Sequence, residues 1–427
     1  MQITMRMNKK GSFAVLATIL FSSMMILTAA AIQSAGQEAI SSTAESFGPL
    51  WGKSILAEYD RNLKDRYSIF AFYGSKLQVE EKLDFYAAYS CEKKKYISCG
   101  KTDCELEKYA LNDKENFLKQ VREAALAGTK PRALKMQAGK TSGRTKTSEA
   151  DDGDEGNRYI RNERILNSLP SEGKGGSVGI LSLADKLKEG ASVNTVVNAS
   201  AENVYIFRFF KDCMNERELG ETFFRNEVEY LLTGKPDDKK AKKKVGNSLI
   251  LLRNSLNLAY LYSCEEKRNA ALAAAELIMP TAPILAQALI LEGWAYMEAR
   301  NDLKILYAGK TVPILKKDEN WAISLENLLA AEYGISPSGE ELPEGQEYEE
   351  EKNYLPPKKI EGRDYEGYLR ILIAAMPQET LLLRMMDIIQ INMKYLYCEW
   401  FLMDDYYTGV RYSIEVNKRK HEFEETY

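Results

Sequence analysis

Residues 11–37 read GSFAVLATILFSSMMILTAAAIQSAGQ, and this stretch contains no charged side chain. Its core, Phe13 to Ile32, is long enough as a helix to cross the ~30 Å hydrocarbon layer of a bilayer at a rise of ~1.5 Å per residue. The sequence therefore predicts a transmembrane helix over residues 11–37, in contact with the lipid bilayer. This placement constrains function more than any other feature of the chain.

The charges on either side of the span predict its orientation. The first acid, Glu38, follows the span, and three basic residues precede it: Arg6, Lys9 and Lys10. Because positive charge stays on the cytoplasmic side, we expect a cytoplasmic tail over residues 1–10 and an extracellular domain after the span. A cleaved secretory signal is the alternative, since Ala29-Ala30-Ala31 resembles a cleavage site, but the apolar region of such signals is usually only about 7–15 residues long. Either alternative exports the body of the protein.

Composition excludes several classes of function. The chain has 427 residues with 58 basic and 62 acidic side chains, and this near balance argues against nucleic acid as a partner. Six cysteines are too few for a disulfide scaffold of this length. Cys91, Cys99 and Cys104 lie close together without zinc spacing, and outside the membrane one pair could oxidise. We expect no metal and no cofactor.

The first half of the extracellular domain combines helices with a short strand. The helical pattern continues past the span as one long helix, interrupted by Gly48-Pro49. Within residues 38–127, the aromatic segment 67–73 predicts a strand and residues 113–126 predict a helix. Residues 128–178 are rich in Gly, Ser, Thr, Lys and Asp, so they predict a flexible insertion.

The main part of the extracellular domain, residues 179–427, contains most of the predicted elements. AENVYIFRFF over residues 201–210 predicts a strand, and the alternating residues 408–417 predict a second strand. Between them, we expect a helical bundle over 215–335 and an exposed acidic loop over 336–363. The predicted fold class is α+β: one transmembrane helix continues into a head with an antiparallel sheet and a packed helical bundle.

The motifs associated with catalysis lack their required context. The single histidine, His421, lies six residues from the C-terminus, where we expect a solvated tail. Residues 175–179 match G-x-S-x-G around Ser177, but no strand precedes them. Gly139-Lys140-Thr141 and Gly309-Lys310-Thr311 end like phosphate-binding loops without the required earlier glycine. The sequence therefore predicts no catalytic, cofactor-binding or metal-binding residue.

We interpret two polar clusters as structural rather than functional. The lysine-rich residues 235–244 predict a solvated turn between helices, although they could also touch anionic wall polymers. Four polar residues interrupt an apolar helix near the C-terminus: Arg384, Asp387, Gln390 and Asn392. Arg384 and Asp387 are three residues apart and can pair, so we interpret this cluster as a polar staple where the helix meets the sheet.

The chain resembles an uncharacterised membrane-anchored family encoded in tight-adherence (Tad/Flp) pilus loci of Gram-positive bacteria, with an N-terminus like that of TadE/TadG pseudopilins. The residues that carry the resemblance are KKGSFAVLATILFSS (9–23), LAEYDRNLKDRYSIFAFYG (56–74), NEVEYLLTGKPD (226–237), ILLRNSLNLAYLYS (250–263), ILEGWAYMEARNDLKILYAGKTVPILKKDENWAISLEN (290–327), DYEGYLRILI (364–373) and RMMDIIQINM (384–393). It implies a protein tied to pilus assembly or surface adhesion, with Tad pilus or secretion machinery as partners, and no known catalytic residues.

One departure from the pseudopilin pattern affects this expectation. Type IV prepilins are cut after a glycine, and their fifth mature residue is glutamate. Cleavage after Gly11 would place Leu16 at that position. The missing carboxylate favours a protein that remains in the membrane beside the machine.

Three functions are therefore open. The first is a non-enzymatic, membrane-anchored component of a Tad-like pilus or related surface filament system, in assembly or display. The second is a surface adhesion or binding module with an unknown ligand, for which an exposed aromatic cleft would be evidence. The third is an anchored cell-wall hydrolase, for which convergent acids with raised pKa would be evidence.

Overall fold

The computed structural model describes residues 9–92, 94, 96–128, 163–172, 176, 178–188, 200–215, 220–333 and 361–427. The chain forms two compact units. Unit 1 contains Met1–Asp60, Phe70–Asp113 and Asp404–Tyr427, and unit 2 contains Arg61–Ile69 and Lys114–Met403. Unit 2 is therefore inserted twice into the sequence of unit 1.

The secondary structure is mixed, as the α+β prediction requires. The helices are α1 (Lys9–Leu56), α2 (Arg61–Tyr67), α3 (Lys76–Cys91), α4 (Lys114–Ala127), α5 (Ile180–Lys188), α6 (Ala201–Phe209), α7 (Glu227–Thr233), α8 (Asp238–Ser263), α9 (Glu265–Ile278), α10 (Pro283–Tyr307), α11 (Leu325–Tyr333), α12 (Tyr365–Ala374) and α13 (Gln378–Leu396). The strands are β1 (Phe72–Tyr73), β2 (Cys99–Glu105), β3 (Tyr406–Tyr407), β4 (Gly409–Val416) and β5 (Arg419–Thr426).

Unit 1 is built on antiparallel strands. A three-stranded sheet has the order β2-β4-β5, and β1 pairs with β3 in a second, two-stranded sheet. Four inward-facing side chains of β4 are buried, in the alternation that the sequence predicts: Val410, Tyr412, Ile414 and Val416. They form one core with the second half of α1 and the inner face of α3.

Strand β5 was not predicted from the sequence, which assigned His421 to a solvated tail. In the structure Val416 pairs with Arg419, so Asn417 and Lys418 form a two-residue hairpin turn. Both turn residues have positive φ, 48° and 68°, as a type I′ turn requires. The sequence prediction failed because β5 is an edge strand and carries mainly charged side chains.

Two further strand predictions need correction. Within residues 67–73, only Phe72–Tyr73 is a strand, because Tyr67 ends α2. Residues 201–210 form helix α6, where the Oγ of Ser200 caps the backbone N–H of Asn203 at 3.1 Å. This segment is buried on most sides, so its Val, Tyr, Ile and Phe content suggested a strand while no polar face revealed the helical period.

Unit 2 contains the predicted helical bundle. One core is formed by four helices: α8, α9, α10 and α11. In this core the Trp294 Nε1–H donates to the backbone oxygen of Ile323 at 2.8 Å. The lysine-rich segment is not a turn throughout, because α8 already begins at Asp238. Asp237 caps this helix by accepting from the backbone N–H of Lys240 at 2.7 Å.

The predicted flexible insertion is described only in part. Residues 129–162, and residues 334–360 in the predicted acidic loop, lie outside the described residues. Residues 163–172 contact α13: Asn167 and Ser168 accept through their carbonyls from Lys394 and Gln390 at 2.8 and 2.7 Å. Ile165 is also buried. This part of the insertion is therefore packed in unit 2. Its contacts include two backbone carbonyls and the buried side chain of Ile165.

Candidate functional site

The first half of α1 is apolar and exposed. Large apolar side chains from Phe13 to Ile32 are each about three-fifths to three-quarters exposed, from 59% to 74%. Among the residues that the structure describes, α1 is the one helix long and apolar enough to cross a membrane. It fits a single-pass membrane anchor or a signal sequence, because such exposure in water would be costly.

The second half of α1 belongs to the core of unit 1. Gln37 accepts through its Oε1 from the Arg419 guanidinium at 2.7 Å, and Ile40 begins the packed face. Trp51 and Ile55 are only 3% and 1% exposed. The same continuous helix is therefore a candidate membrane segment at one end and a core element at the other.

The packed half of α1 lacks one backbone hydrogen bond of a regular helix. Pro49 lies inside α1 and has no N–H to donate. Next to it, the Tyr412 hydroxyl donates to the carbonyl of Gly48. The β4 strand thereby contacts the helix backbone beside the proline.

The glycines beside Pro49 allow the strands to approach. A Cβ on Gly48 would lie 2.1 Å from Cζ of Phe423, and a Cβ on Gly52 would lie 2.7 Å from Cγ of Glu425. The two glycines are four residues apart and therefore share one helix face. They form a groove in α1 that receives the side chains of β5.

Helix α3 has an outward aromatic face. Leu77, Phe85 and Tyr89 are 72%, 65% and 73% exposed and follow one another at helical spacing. The rings of Phe85 and Tyr89 stack with centroids 6.3 Å apart. The opposite face of α3 is buried in the core of unit 1 through Val79, Leu83 and Ala87.

A cleft of about 410 Å³ opens beside this face and combines aromatic rings with polar groups. Its lining residues are Tyr73, Gln78, Glu81, Lys82, Phe85 and Tyr86. The Tyr86 hydroxyl donates to Glu58 at 2.9 Å, and Lys82 forms an ion pair with the same carboxylate. Burial and this hydrogen bond raise the pKa of Tyr86. The size is within the range of ligand sites.

Of the motif residues that the structure describes, neither Gly309 nor His421 lines this cleft. Ser177 and Gly139-Lys140-Thr141 lie outside the described residues. Gly309 has φ of +72° directly after the C-terminal end of α10, whereas a phosphate loop needs a helix N-terminus. His421 lies in β5, where its ring stacks on Phe423 at a centroid distance of 6.4 Å. Gly309 therefore lies at a helix C-terminus, and His421 lies in a β-strand.

The polar residues of α13 bind backbone groups instead of the sheet. Arg384 donates to the carbonyls of Leu231 and Gly176, both at 2.8 Å. Asp387 accepts from the Ser171 N–H at 2.9 Å and the Tyr230 hydroxyl at 2.8 Å. The predicted pairing of Arg384 with Asp387 is thus replaced by separate contacts to the loops and to α7.

Gln390 and Asn392 extend this pattern. Gln390 accepts from the backbone N–H of Met403 at 3.0 Å. Asn392 accepts from the N–H of Phe223 at 2.9 Å and donates to Glu227 at 2.7 Å. Burial raises the pKa of Glu227 and of Asp387. Sequence reasoning found the polar residues of α13 but missed Glu227 and Tyr230, because neither stands out from its neighbours along the chain.

A second buried network joins charged residues of the bundle. Asp302 lies 2.9 Å from Nε of Arg253 and 2.6 Å from Nζ of Lys316, and Lys316 also pairs with Glu298. Burial raises the pKa of Glu298, whereas the two cations outweigh burial and lower the pKa of Asp302. Glu298 also accepts from the N–H of Ile323 at 2.8 Å, so the network joins α8, α10 and the following loop.

No group of three or more potential metal ligands occurs within the described ranges. The profile of a family of unknown function, DUF5702, matches residues 133–418, which is more than half of the chain. The comparisons with curated proteins and with solved structures gave no match.

Proposed function

The chain belongs to the DUF5702 family, and we propose that it is a non-enzymatic, membrane-anchored extracellular component of a Tad-like pilus or related surface filament system, in assembly or display. The observation that carries the proposal is α1, which is exposed and apolar from Phe13 to Ile32 and is then built into the core of unit 1. A continuous helix of this kind holds a folded head at a fixed short distance from a membrane. That geometry suits a protein that acts beside an emerging filament.

The proposed orientation places the N-terminus in the cytoplasm and the bulk of the chain outside. It is supported by the basic residues that precede the span and by Glu38 after it. The pseudopilin-like N-terminal sequence supports pilus or secretion machinery as the partner. Leu16 at the position of the pseudopilin glutamate supports a role beside the filament rather than within it.

The non-enzymatic part of the proposal is supported by what the buried acids do. Glu227 accepts from the Lys211 N–H at 2.8 Å, and Glu229 accepts from the Cys213 N–H at 3.1 Å. Asp387 binds Ser171 in the same way. Each of these raised-pKa acids organises a backbone segment, which is an architectural role.

Deletion and complementation in the native bacterium test this proposal. We expect deletion of the gene to abolish or shorten surface filaments seen by electron microscopy. Wild type, Phe21→Leu and His421→Ala should restore them, whereas Phe21→Arg should not, because a charge at the middle of the span opposes insertion. Normal filaments in the deletion strain would overturn the proposal, and failure of His421→Ala would reopen an enzymatic role.

A surface-binding module is the second candidate, and the aromatic cleft of α3 favours it. Exposed rings of Phe85 and Tyr89 beside the polar side chains of Glu81 and Lys82 suit a polysaccharide, whose sugar rings have apolar faces and polar edges. Co-sedimentation with purified cell-wall polysaccharide tests it.

In that assay, Phe85→Ala with Tyr89→Ala should weaken binding roughly tenfold. Leu77→Ala is the matched control, since Leu77 is equally exposed on the same face but neither lines the cleft nor belongs to the Phe85–Tyr89 ring stack. Unchanged binding in the double variant, or no binding by wild type, would remove this candidate.

A further inference from the structure

Two cysteines of unit 1 lie in contact. The Sγ atoms of Cys91 and Cys99 are 3.1 Å apart, at the end of α3 and the start of β2. A disulfide needs about 2.05 Å between the sulfurs, so an approach of about 1 Å completes the bond. Both residues are partly buried against the core of unit 1.

The third nearby cysteine is excluded by the direction of β2. Successive residues of this strand contact successively earlier residues of α3: Thr102 donates to Asp84 at 2.8 Å, and the Cys104 thiol lies 3.6 Å from the Lys76 carbonyl. Cys104 therefore lies beside the start of α3, about 22 Å along the helix axis from Cys91.

We infer that Cys91 and Cys99 form a disulfide in the exported head, while Cys104 remains a thiol. The Cys91 thiolate attacks an external disulfide, such as that of a thiol oxidase or of oxidised glutathione, and releases one external thiol. Cys99 then loses its proton and attacks the Cys91 sulfur, releasing the second external thiol. Two protein thiols are oxidised, and one external disulfide is reduced to two thiols.

The bond would fasten a segment that touches α1. Between the two cysteines, the ammonium of Lys94 lies 4.2 Å from the ring centroid of Phe47 on α1. Burial raises the pKa of Cys99 to about 12, so little of this thiol is present as thiolate at neutral pH. Cys99 is therefore slow to attack the external disulfide first. Oxidation would close the ring of residues 91–99 around the Lys94 contact.

The test uses the full chain purified from membranes in detergent. The reduced protein is equilibrated with excess oxidised glutathione, then alkylated under denaturing conditions and mapped by mass spectrometry. We expect a peptide in which Cys91 and Cys99 are linked, with Cys104 alkylated. Alkylation of both Cys91 and Cys99, or a link to Cys104, would overturn the inference.

Thermal unfolding supplies an independent readout. Reductant should lower the midpoint by roughly 5 °C in wild type and in Cys104→Ser, and should have no effect in Cys99→Ser. An equal response in Cys99→Ser would count against the disulfide.

The location of the bond rests on the proposed export, so alkylation of intact cells separates the two ideas. Protected Cys91 and Cys99 in cells support both. Thiols that are free in cells but pair in the purified chain would leave the pairing intact and contradict the extracellular placement.

Discussion

The first half of α1 and the whole of α13 reverse the usual relation between polarity and burial. Residues 13–32 of α1 are apolar and exposed, whereas α13 is buried over most of its length and carries six buried polar or charged residues: Thr380, Arg384, Asp387, Gln390, Asn392 and Lys394. In both helices the side chains match the surroundings, which are lipid for the proposed anchor and backbone amides for α13.

The difference shows that helix hydropathy alone does not predict exposure. An uncharged run of this length, which no other part of the described structure covers, fits a membrane anchor or a signal sequence. A mixed run such as α13 can be buried in unit 2 because its polar groups bind loop backbones. Four substitutions can break or sharpen this comparison.

Asp387→Ala should have the largest effect. It leaves the Ser171 N–H and the Tyr230 hydroxyl without their acceptor inside unit 2. We expect a loss of about 3–5 kcal/mol in the free energy of unfolding of unit 2, measured by urea unfolding. Asp185→Ala, at an exposed position, is the control and should change stability by less than about 0.5 kcal/mol. A loss below 1 kcal/mol would mean that water replaces the carboxylate.

Phe21→Arg should have the second largest effect. The side chain lies near the middle of the apolar span and is 67% exposed. We expect an insertion penalty of about 3 kcal/mol in a glycosylation-based insertion assay, with Phe21→Leu unchanged. Equal insertion of both variants would show that this half of α1 does not cross the bilayer.

Gly48→Ala tests the packed half of the same helix. Its Cβ would collide with Phe423, so we expect a loss of about 2 kcal/mol in unit 1, seen as faster hydrogen exchange of the β4 and β5 amides. Gly36→Ala is the control, since no atom lies within 4 Å of that Cβ. A neutral Gly48→Ala would indicate that the strands can retreat from α1 without cost.

The pH dependence of unit 2 should show the smallest effect. Burial raises the pKa of Asp387, so the folded chain holds this proton more tightly than the unfolded chain. The resulting stabilisation is complete below the ordinary carboxyl pKa of ~3.9 and is lost as the pH rises through the raised folded pKa.

Asp387→Asn removes this titration while keeping an acceptor for Ser171. It should therefore flatten the fall of stability with pH by at most about 1.4 kcal/mol per pH unit. Urea midpoints at several pH values above 4 measure the slope. A slope identical to that of wild type would assign the pH dependence to other acids.

Much of the fold was predictable where one physical rule dominates. Charge-free length predicted α1, and strict alternation from Val410 to Val416 predicted β4. α6 was mispredicted because burial on most sides removes periodicity, although Ser200 before Glu202 was an available capping signal. β5 could have been found from Asn417, a residue that tolerates positive φ in hairpin turns.

The candidate site was less predictable. The two faces of α3 could not be told apart from the sequence, because the outward side chains of Phe85 and Tyr89 are as apolar as the inward side chains of Val79 and Leu83. The Cys91–Cys99 contact depends on how α3 turns back into β2, which no local pattern determines. Only the apolar first half of α1 was identifiable in advance, because its length and composition do not depend on tertiary contacts.

The hydroxyl of Tyr412 on the carbonyl of Gly48 has a consequence for biosynthesis. A ribosome makes Gly48 long before it makes Tyr412, and the whole of unit 2 is made in the interval. The glycine groove of α1 therefore stays unfilled during this interval, while unit 2 can fold first. Unit 1 is completed only when the β4–β5 hairpin has been made, so premature termination before residue 404 would leave the glycine groove of α1 without the strand side chains that fill it.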